Sequence, residues 1–436
     1  MKVFVSSLGC SKNWVDSEYL KGMLLGQGHT FVEMPDIAQI IIVNTCGFIS
    51  SAVEEGIQTI LELATLKKEG VCEQLLVFGC MVQRYGEQLV VELSEVDFFT
   101  GVGAFEEIAT AIKDKKKKQY LPIVPQKVKL PDFSVRFPSS GNVAYIKIAE
   151  GCDRHCTYCI IPKIRGSQKS RQKTEILKEA QKLVKEGAKE LVLVAQETTA
   201  WGRDFSSPES FSSLLEALAQ QESNVWIRFL YGHPESITPE LIHVVKKYDH
   251  VCSYFDVPIQ HASDDILKRM GRTETREKLF SLFQYIKREI PKATLRTTVI
   301  VGFPGETQKD FKTLLDFIEK NQFDHLGAFI YSAEKDLPAS ALSGAVSFQT
   351  AKRRYARLME QQQKISYEKN RQLKGKIYSV LLEEKLELTL YAGRTQFQAP
   401  DVDGEVIVEG KEMTVGDRVS VRITETLAYD LQGERI

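Results

Sequence analysis

The sequence predicts an α/β protein in three parts: an N-terminal doubly wound parallel-sheet domain, a central β/α barrel and a small C-terminal antiparallel β-barrel. Three observations predict it. Apolar runs alternate with helical patterns through the first quarter of the chain. Six further apolar runs alternate with helices through the middle. From Lys376 the pattern changes to short alternating strands separated by turn residues.

In the first part, Val3–Ser6, Ile40–Asn44 and Leu75–Gly79 read as strands. Asp16–Leu25, Ala52–Leu66 and Gln83–Leu93 read as helices between and after them. The strands are apolar runs rather than alternating ones, as a sheet covered on both faces requires. The lysine run Lys113–Lys118 then closes the first domain, assigned to residues 1–118. It reads as a solvated helix end, the alternative being a nucleic-acid-binding arm. Pro122, Pro125, Pro131 and Pro138 mark a linker.

The middle part, residues 138–368, opens with a strand at Val143–Ile148. Strands follow at Glu190–Ala195, Val225–Tyr231, Tyr254–Ile259, Thr294–Val301 and Leu326–Tyr331, with helices such as Thr174–Lys185 and Arg276–Arg288 between them. Six β/α units make a partial or full barrel, with chemistry at the C-terminal ends of its strands. A charged helix, Thr350–Leu373, leads to residues 371–436, where IYSVLLEE, EVIVEG and RVSVRITE are strands of an OB-type barrel. This last part holds nine Lys/Arg against twelve Asp/Glu, a net charge of −3.

The chain has 436 residues, enough for two or three full cores. Its net charge of −1 gives no global pull toward nucleic acid or anionic membrane. The start, MKVFVSSLGC, lacks the apolar stretch of a signal peptide, and no run is long enough to span a bilayer. A cytoplasmic location is expected. There, eight cysteines point to metal or catalysis rather than a disulfide framework.

Three of them form EGCDRHCTYCIIP, with Cys152, Cys156 and Cys159 just after the first barrel strand. Thiolates are soft ligands suited to iron–sulfur clusters, and closely spaced cysteines reach different corners of one cubane. Three ligands for four irons leave one iron open, which can chelate the amino and carboxylate groups of S-adenosylmethionine. An electron from the cluster then yields a 5′-deoxyadenosyl radical. The alternative is a zinc knuckle that adds His155, made awkward by the adjacency of His155 and Cys156. Tyr158 is read as packing near the adenine, or else as a core aromatic.

Cys10, Cys46 and Cys80 each end one of the first three strands, beside Gly9, Gly47 and Gly79. In a parallel sheet those ends share one edge, where ligands bind. The simplest reading is a second three-cysteine cluster with an open iron; the alternative is three buried structural thiols. Cys72 and Cys252 have no such placement and read as structural. Glu197 ends the second barrel strand and is a candidate for the methionine amino group, the alternative being a surface carboxylate. Arg165 and Arg171 are candidates for a cofactor or substrate carboxylate, the alternative being a solvated loop. Gly302–Gly305 reads as a close backbone approach to the adenosine, and lacks the Lys-Ser/Thr of a phosphate loop. His261 reads as a strand cap.

On these stretches the chain resembles the radical-SAM methylthiotransferase family along nearly its whole length: LGCSKNWVDSE, IIIVNTCGFI, GCDRHCTYCIIPKIRGSQKSR, VAQETTAWG, DVPIQHASDDILKRM and LRTTVIVGFPGET. The text is similar to the branch that modifies an aspartate of ribosomal protein S-twelve, rather than the tRNA adenosine branch with YGCQMN, NTCS and GQNVN. The resemblance implies a methylthiotransferase domain, a radical-SAM core and a C-terminal TRAM domain. It implies two [4Fe–4S] clusters, with Cys10, Cys46 and Cys80 around the sulfur-carrying one. It implies methylthiolation of the aspartate β-carbon by two S-adenosylmethionine molecules, one the methyl donor and one the radical source. Tyr158, Glu197, Arg171 and Gly302 are the expected cofactor contacts. A sulfur donor, an electron donor such as flavodoxin or ferredoxin, and the ribosomal protein are the expected partners of a monomeric enzyme. The acidic last domain suits a basic protein target better than RNA.

Overall fold

A computed structural model describes residues 1–115, 119–125, 130–138 and 141–436. Lys116–Lys118, and with them the end assigned to the first domain, lie outside the described residues.

The first domain runs β1 (Lys2–Ser7), α1 (Ser11–Gly26), β2 (Thr30–Phe31), β3 (Ile40–Thr45), α2 (Ser50–Lys68), β4 (Gln74–Gly79), α3 (Cys80–Tyr85), α4 (Glu87–Glu92), β5 (Phe98–Thr100), α5 (Phe105–Lys113) and β6 (Gln119–Leu121). The strands pair in parallel in the order β2-β1-β3-β4-β5-β6. Every residue of β3 and β4 is buried. One face packs Ile40, Ile42, Leu76 and Phe78 against α1 and α5; the other packs Ile41, Val43, Leu75 and Val77 against α2, α3 and α4. The winding reverses between β1 and β3, which opens a crevice at their C-terminal ends.

Two expectations are corrected here. The helix read over Gln83–Leu93 begins at Cys80 and is two helices, broken at Gly86. Gly86 adopts φ +43°, and a Cβ there would lie 2.7 Å from the Tyr120 hydroxyl. Residues 130–138 of the linker are a packed strap. Phe133 and Arg136 are buried, and Arg136 donates to Glu18, to Glu179 at 2.6 Å and to the Tyr145 carbonyl at 2.7 Å.

The barrel comprises β7 (Val143–Lys147), β8 (Ala149–Glu150), α6 (Ile161–Arg165), β9 (Lys169–Ser170), α7 (Lys173–Lys185), β10 (Glu190–Val194), α8 (Phe211–Gln221), β11 (Trp226–Phe229), α9 (Pro239–Lys247), β12 (Tyr254–Asp256), α10 (Asp264–Arg269), α11 (Arg276–Glu289), β13 (Thr294–Val301), α12 (Gln308–Asn321), β14 (His325–Ile330) and α13 (Phe348–Arg371). Parallel sheets β11-β10-β7 and β12-β13-β14 are joined by the bridge Ile227–Val251, giving a six-stranded partial barrel. Its apolar outer face packs on the helices. Its inner face is filled by Tyr145, Val192, Val194, Trp226 and Tyr254, together with Val15 of α1 and Leu381 and Ala399 of the last domain.

The last domain is a closed barrel, β15 (Ile377–Lys385), β16 (Leu390–Arg394), β17 (Val406–Glu409), β19 (Leu431–Arg435) and β18 (Arg418–Thr426) in order around it. All pairings are antiparallel except β17 with β19. It docks through buried charge: Glu190, with no exposed surface, accepts from Arg228 at 2.6 Å and from Arg394 at 2.7 Å. Tyr254 donates to Asp403 at 2.6 Å.

Candidate active site

The loops after β1, β3 and β4 carry Cys10, Cys46 and Cys80 to the same crevice. A Cβ on Gly9 would lie 2.6 Å from the Cys46 Cβ, and one on Gly47 would lie 2.7 Å from the Cys80 carbonyl oxygen. The close approach that glycine permits is therefore between the cysteine loops themselves. Asn13, in the first turn of α1, ties them together. Its Nδ2 donates to the Leu8 carbonyl at 2.9 Å and the Thr45 carbonyl at 3.2 Å, and Asn44 donates to its carbonyl at 2.9 Å. That polar first turn explains why α1 starts five residues before its apolar periodicity does.

Burial raises the Cys46 thiol and pushes Cys80 up to about 11. Burial would raise Cys10 too, but the Lys12 ammonium, the Asn13 amide and Arg165 together hold it below its ordinary value.

Cys152, Cys156 and Cys159 lie half-buried on the loop between β8 and α6. Burial pushes Cys152 up to about 11 and Cys159 up to about 12. A bound metal centre would hold such thiols as thiolates. Among the described residues no three His, Cys, Asp or Glu side chains close on a single metal ion. A cubane instead spreads its thiolates over separate irons, so each cysteine trio could hold a cluster of that kind.

One buried network ties the first trio to the elements on either side of the motif loop. Arg165 of α6 donates to Asn13 Oδ1 at 2.8 Å, to Cys80 Sγ at 3.0 Å, to Asp16 at 3.0 Å and to Glu150 at 3.2 Å. Lys147 pairs with the same Asp16 and Glu150. Burial would raise the Glu150 carboxyl, but Arg165 and Lys147, with a hydrogen bond from Gln196, hold it down at about 2. Arg165 was a candidate from its motif; that it faces the other domain's cysteine was not readable there.

The remaining candidates divide. Glu197 is buried at the motif: its carboxylate accepts from Arg154 Nε at 2.7 Å, Arg154 Nη2 at 2.9 Å and Ser236 at 2.8 Å. Tyr158 is edge-on to Phe303, with ring centroids 6.4 Å apart, in an apolar cluster with Ile266, Met270 and Ala339. Arg171 is not available to a cofactor. It donates to Glu179 at 2.6 Å and to the Lys147 carbonyl at 2.8 Å, with Phe133 4.1 Å below it. Gly302 presses against a helix instead of forming an open cradle, since a Cβ there would lie 2.5 Å from the Ala351 Cβ. His261, read as a strand cap, accepts at Nδ1 from the Ser263 amide at 2.9 Å. Cys72 and Cys252 are buried.

Family models match three successive parts of the chain. The Radical SAM superfamily matches residues 146–318, the TRAM domain residues 375–436, and the family described as Uncharacterized protein family UPF0004 residues 2–101. Proteins named ribosomal protein uS12 methylthiotransferase RimO are similar throughout. That of Desulfosudis oleivorans is 50% identical over 100% of both chains, and that of Clostridioides difficile 47% identical over 100% of this chain and 98% of its own. The chain belongs to the RimO family.

As a member of the RimO family it is a radical-SAM methylthiotransferase. In fold it is similar to the radical S-adenosylmethionine methyltransferase TsrM from Kitasatospora setae, solved with cobalamin and a [4Fe-4S] cluster bound. The TM-score is 0.59 at 13% identity, over 78% of this chain and 76% of that one. The cobalamin-dependent S-adenosylmethionine radical enzyme OxsB gives a TM-score of 0.53 at 13% identity, over 84% of this chain and 56% of that one. No helix among the described residues is long and apolar enough to cross a membrane.

Proposed function

We propose that this enzyme attaches a methylthio group to the β-carbon of an aspartate in ribosomal protein uS12. It uses two [4Fe–4S] clusters, two S-adenosylmethionine molecules and a sulfur donor. Cys152, Cys156 and Cys159 hold one cluster, and Cys10, Cys46 and Cys80 the other. The observation that supports the reading is the buried network through which Arg165, on the helix that follows the motif loop, reaches Cys80 of the other trio across the domain boundary. When bound, the first cluster supplies the electron that cleaves S-adenosylmethionine to a 5′-deoxyadenosyl radical, and the second a place for the sulfur.

The chain's own residues orient and insulate these groups. Arg154, within the motif loop, is fixed by Glu197 and Glu235, so the loop's path is set before a cofactor arrives. Glu197 is the proposed partner of the methionine amino group and would share its carboxylate with Arg154. Arg165 donates to Cys80 and, together with Lys147, balances the charge of Asp16 and Glu150 at the domain boundary. The names of the relatives support uS12 as the substrate, as does the acidic last domain.

Mass spectrometry of uS12 and of tRNA from a deletion strain tests this. Loss of the methylthio group from uS12 with tRNA unchanged is expected. Loss from tRNA with uS12 unchanged would sink the reading. Anaerobic reconstitution should give about eight irons per chain, from two cubanes. Cys10→Ala should lose about half of the iron and still cleave S-adenosylmethionine, whereas Cys156→Ala should abolish cleavage; full iron content in Cys10→Ala would refute the second cluster.

A further inference from the structure

Lys12 lies in the first turn of α1, two residues after Cys10, and is half-buried. Its ammonium rests 3.6 Å from the centroid of the Tyr231 ring. Among the described residues it makes no ion pair. Tyr231 follows β11 at the C-terminal rim of the barrel. Its carbonyl accepts from the Thr198 amide at 3.1 Å, next to the Glu197 that binds the motif's Arg154. Lys12 therefore reaches from the crevice of one cysteine trio onto the rim that carries the other.

Several other cations of this region are already engaged. Arg154 holds Glu197 and Glu235. Arg165 and Lys147 hold Asp16 and Glu150. Arg296 holds Asp256 and Asp403. Lys12 has no carboxylate within ion-pair distance among the described residues, and Cys10 and Glu150 act on it through charge alone. Tyr231 occupies one side of the ammonium, and three N–H donors leave capacity for an acceptor on another side.

We propose that Lys12 is the specificity-determining residue that binds the side-chain carboxylate of the substrate aspartate. This rests on uS12 being the substrate. The β-carbon of aspartate carries its carboxylate directly, about 1.5 Å away. A β-carbon reached from both trios therefore brings that carboxylate to the place where the two domains face each other. A carboxylate drawn out of water needs a counter-charge, and Lys12 is a cation there with no carboxylate in contact.

The test uses anaerobically reconstituted enzyme on full-length uS12 with the target aspartate, and on uS12 with asparagine in its place. Formation of methylthio-protein is followed by mass spectrometry to give kcat and KM. Wild-type enzyme should favour aspartate in kcat/KM by roughly ten- to hundredfold, the range of a charge-assisted hydrogen bond. Lys12→Met should bring that ratio near one by raising KM for the aspartate protein and not for the asparagine protein. Lys12→Arg should restore most of the preference. Iron per chain reports folding; should Lys12→Met lose iron, Lys12→Gln is read in the same way. An unchanged ratio in the neutral variant overturns the proposal, as does a wild type with no preference. No methylthio-uS12 from wild-type enzyme overturns the assignment of the substrate instead.

Discussion

Arg165→Met removes one charge from a network in which two cations balance two carboxylates. The side chains of Arg165, Lys147 and Asp16 are 3%, 2% and 5% exposed, and that of Glu150 is 12% exposed, so water does little to compensate. The variant leaves Asp16 and Glu150 sharing Lys147, a buried net charge of −1. Breaking a buried pair from one side costs about 3–5 kcal/mol. The methionine stem keeps much of the packing, so the charge term dominates. At about 1.4 kcal/mol per decade this is roughly two to three and a half orders of magnitude in local opening. Because Asp16 belongs to α1 and Glu150 to β8, the opening should appear as separation of the first domain from the barrel. Hydrogen exchange of the α1 and β7 amides measures it without assuming all-or-none unfolding of a multidomain chain. Adding Glu150→Gln restores charge balance and should recover a substantial part of the loss. A drop in α1 protection of less than about fivefold in Arg165→Met would refute the account of this network as the domain lock.

His233 is held down at about 2 by burial, with Arg272 and Arg154 nearby, against 6.5 when free. Below pH 6.5 the unfolded chain takes up a proton that the folded one refuses. Stability is therefore full above 6.5 and falls toward about 2, by up to about 1.4 kcal/mol per pH unit. His233→Gln should flatten the slope of stability between pH 6.5 and 4.5, and an unchanged slope would contradict this. Gly302→Ala should destabilise the packing of α13, because its Cβ would meet that of Ala351 at 2.5 Å. Ala351→Gly should recover only the part of the loss due to that clash, because an alanine at φ +77° stays strained; no recovery of thermal stability in the double variant would refute the clash. Arg394→Met leaves Glu190 with Arg228 alone and frees Glu383. Limited proteolysis should then release the last domain faster, whereas unchanged kinetics would show that the domain is held by its apolar contacts.

What could be read in advance depended on whether a feature is local in the chain. Cys10, Cys46 and Cys80 were placed together because the ends of parallel strands share an edge, a rule that needs no side-chain detail. The motif cysteines needed only their spacing. Arg171 and Arg165 stand in one basic stretch and looked alike, yet Arg171 meets Glu179 and Arg165 meets Asp16 and Cys80. Their partners lie on other elements, and no short-range pattern encodes the difference. Gly302 sits in a glycine-rich turn of the kind that approaches ligands, but what it meets is Ala351, 49 positions away in sequence. The break at Gly86 is likewise caused by Tyr120. The strands Leu390–Arg394 and Leu431–Arg435 were missed because Gly393 and Gly433 interrupt their apolar alternation.

The hydrogen bond from Arg165 to Cys80 also orders events during synthesis. The first domain leaves the ribosome before the barrel, and domains fold as units in that order. Its three thiols can therefore gather on their sheet edge while α6 is still untranslated. Until then the crevice has no Arg165 on one side and Asp16 faces no cation from the barrel. Docking of the barrel closes that side. One side of the cysteine crevice is therefore supplied by a domain that is made later than the cysteines themselves.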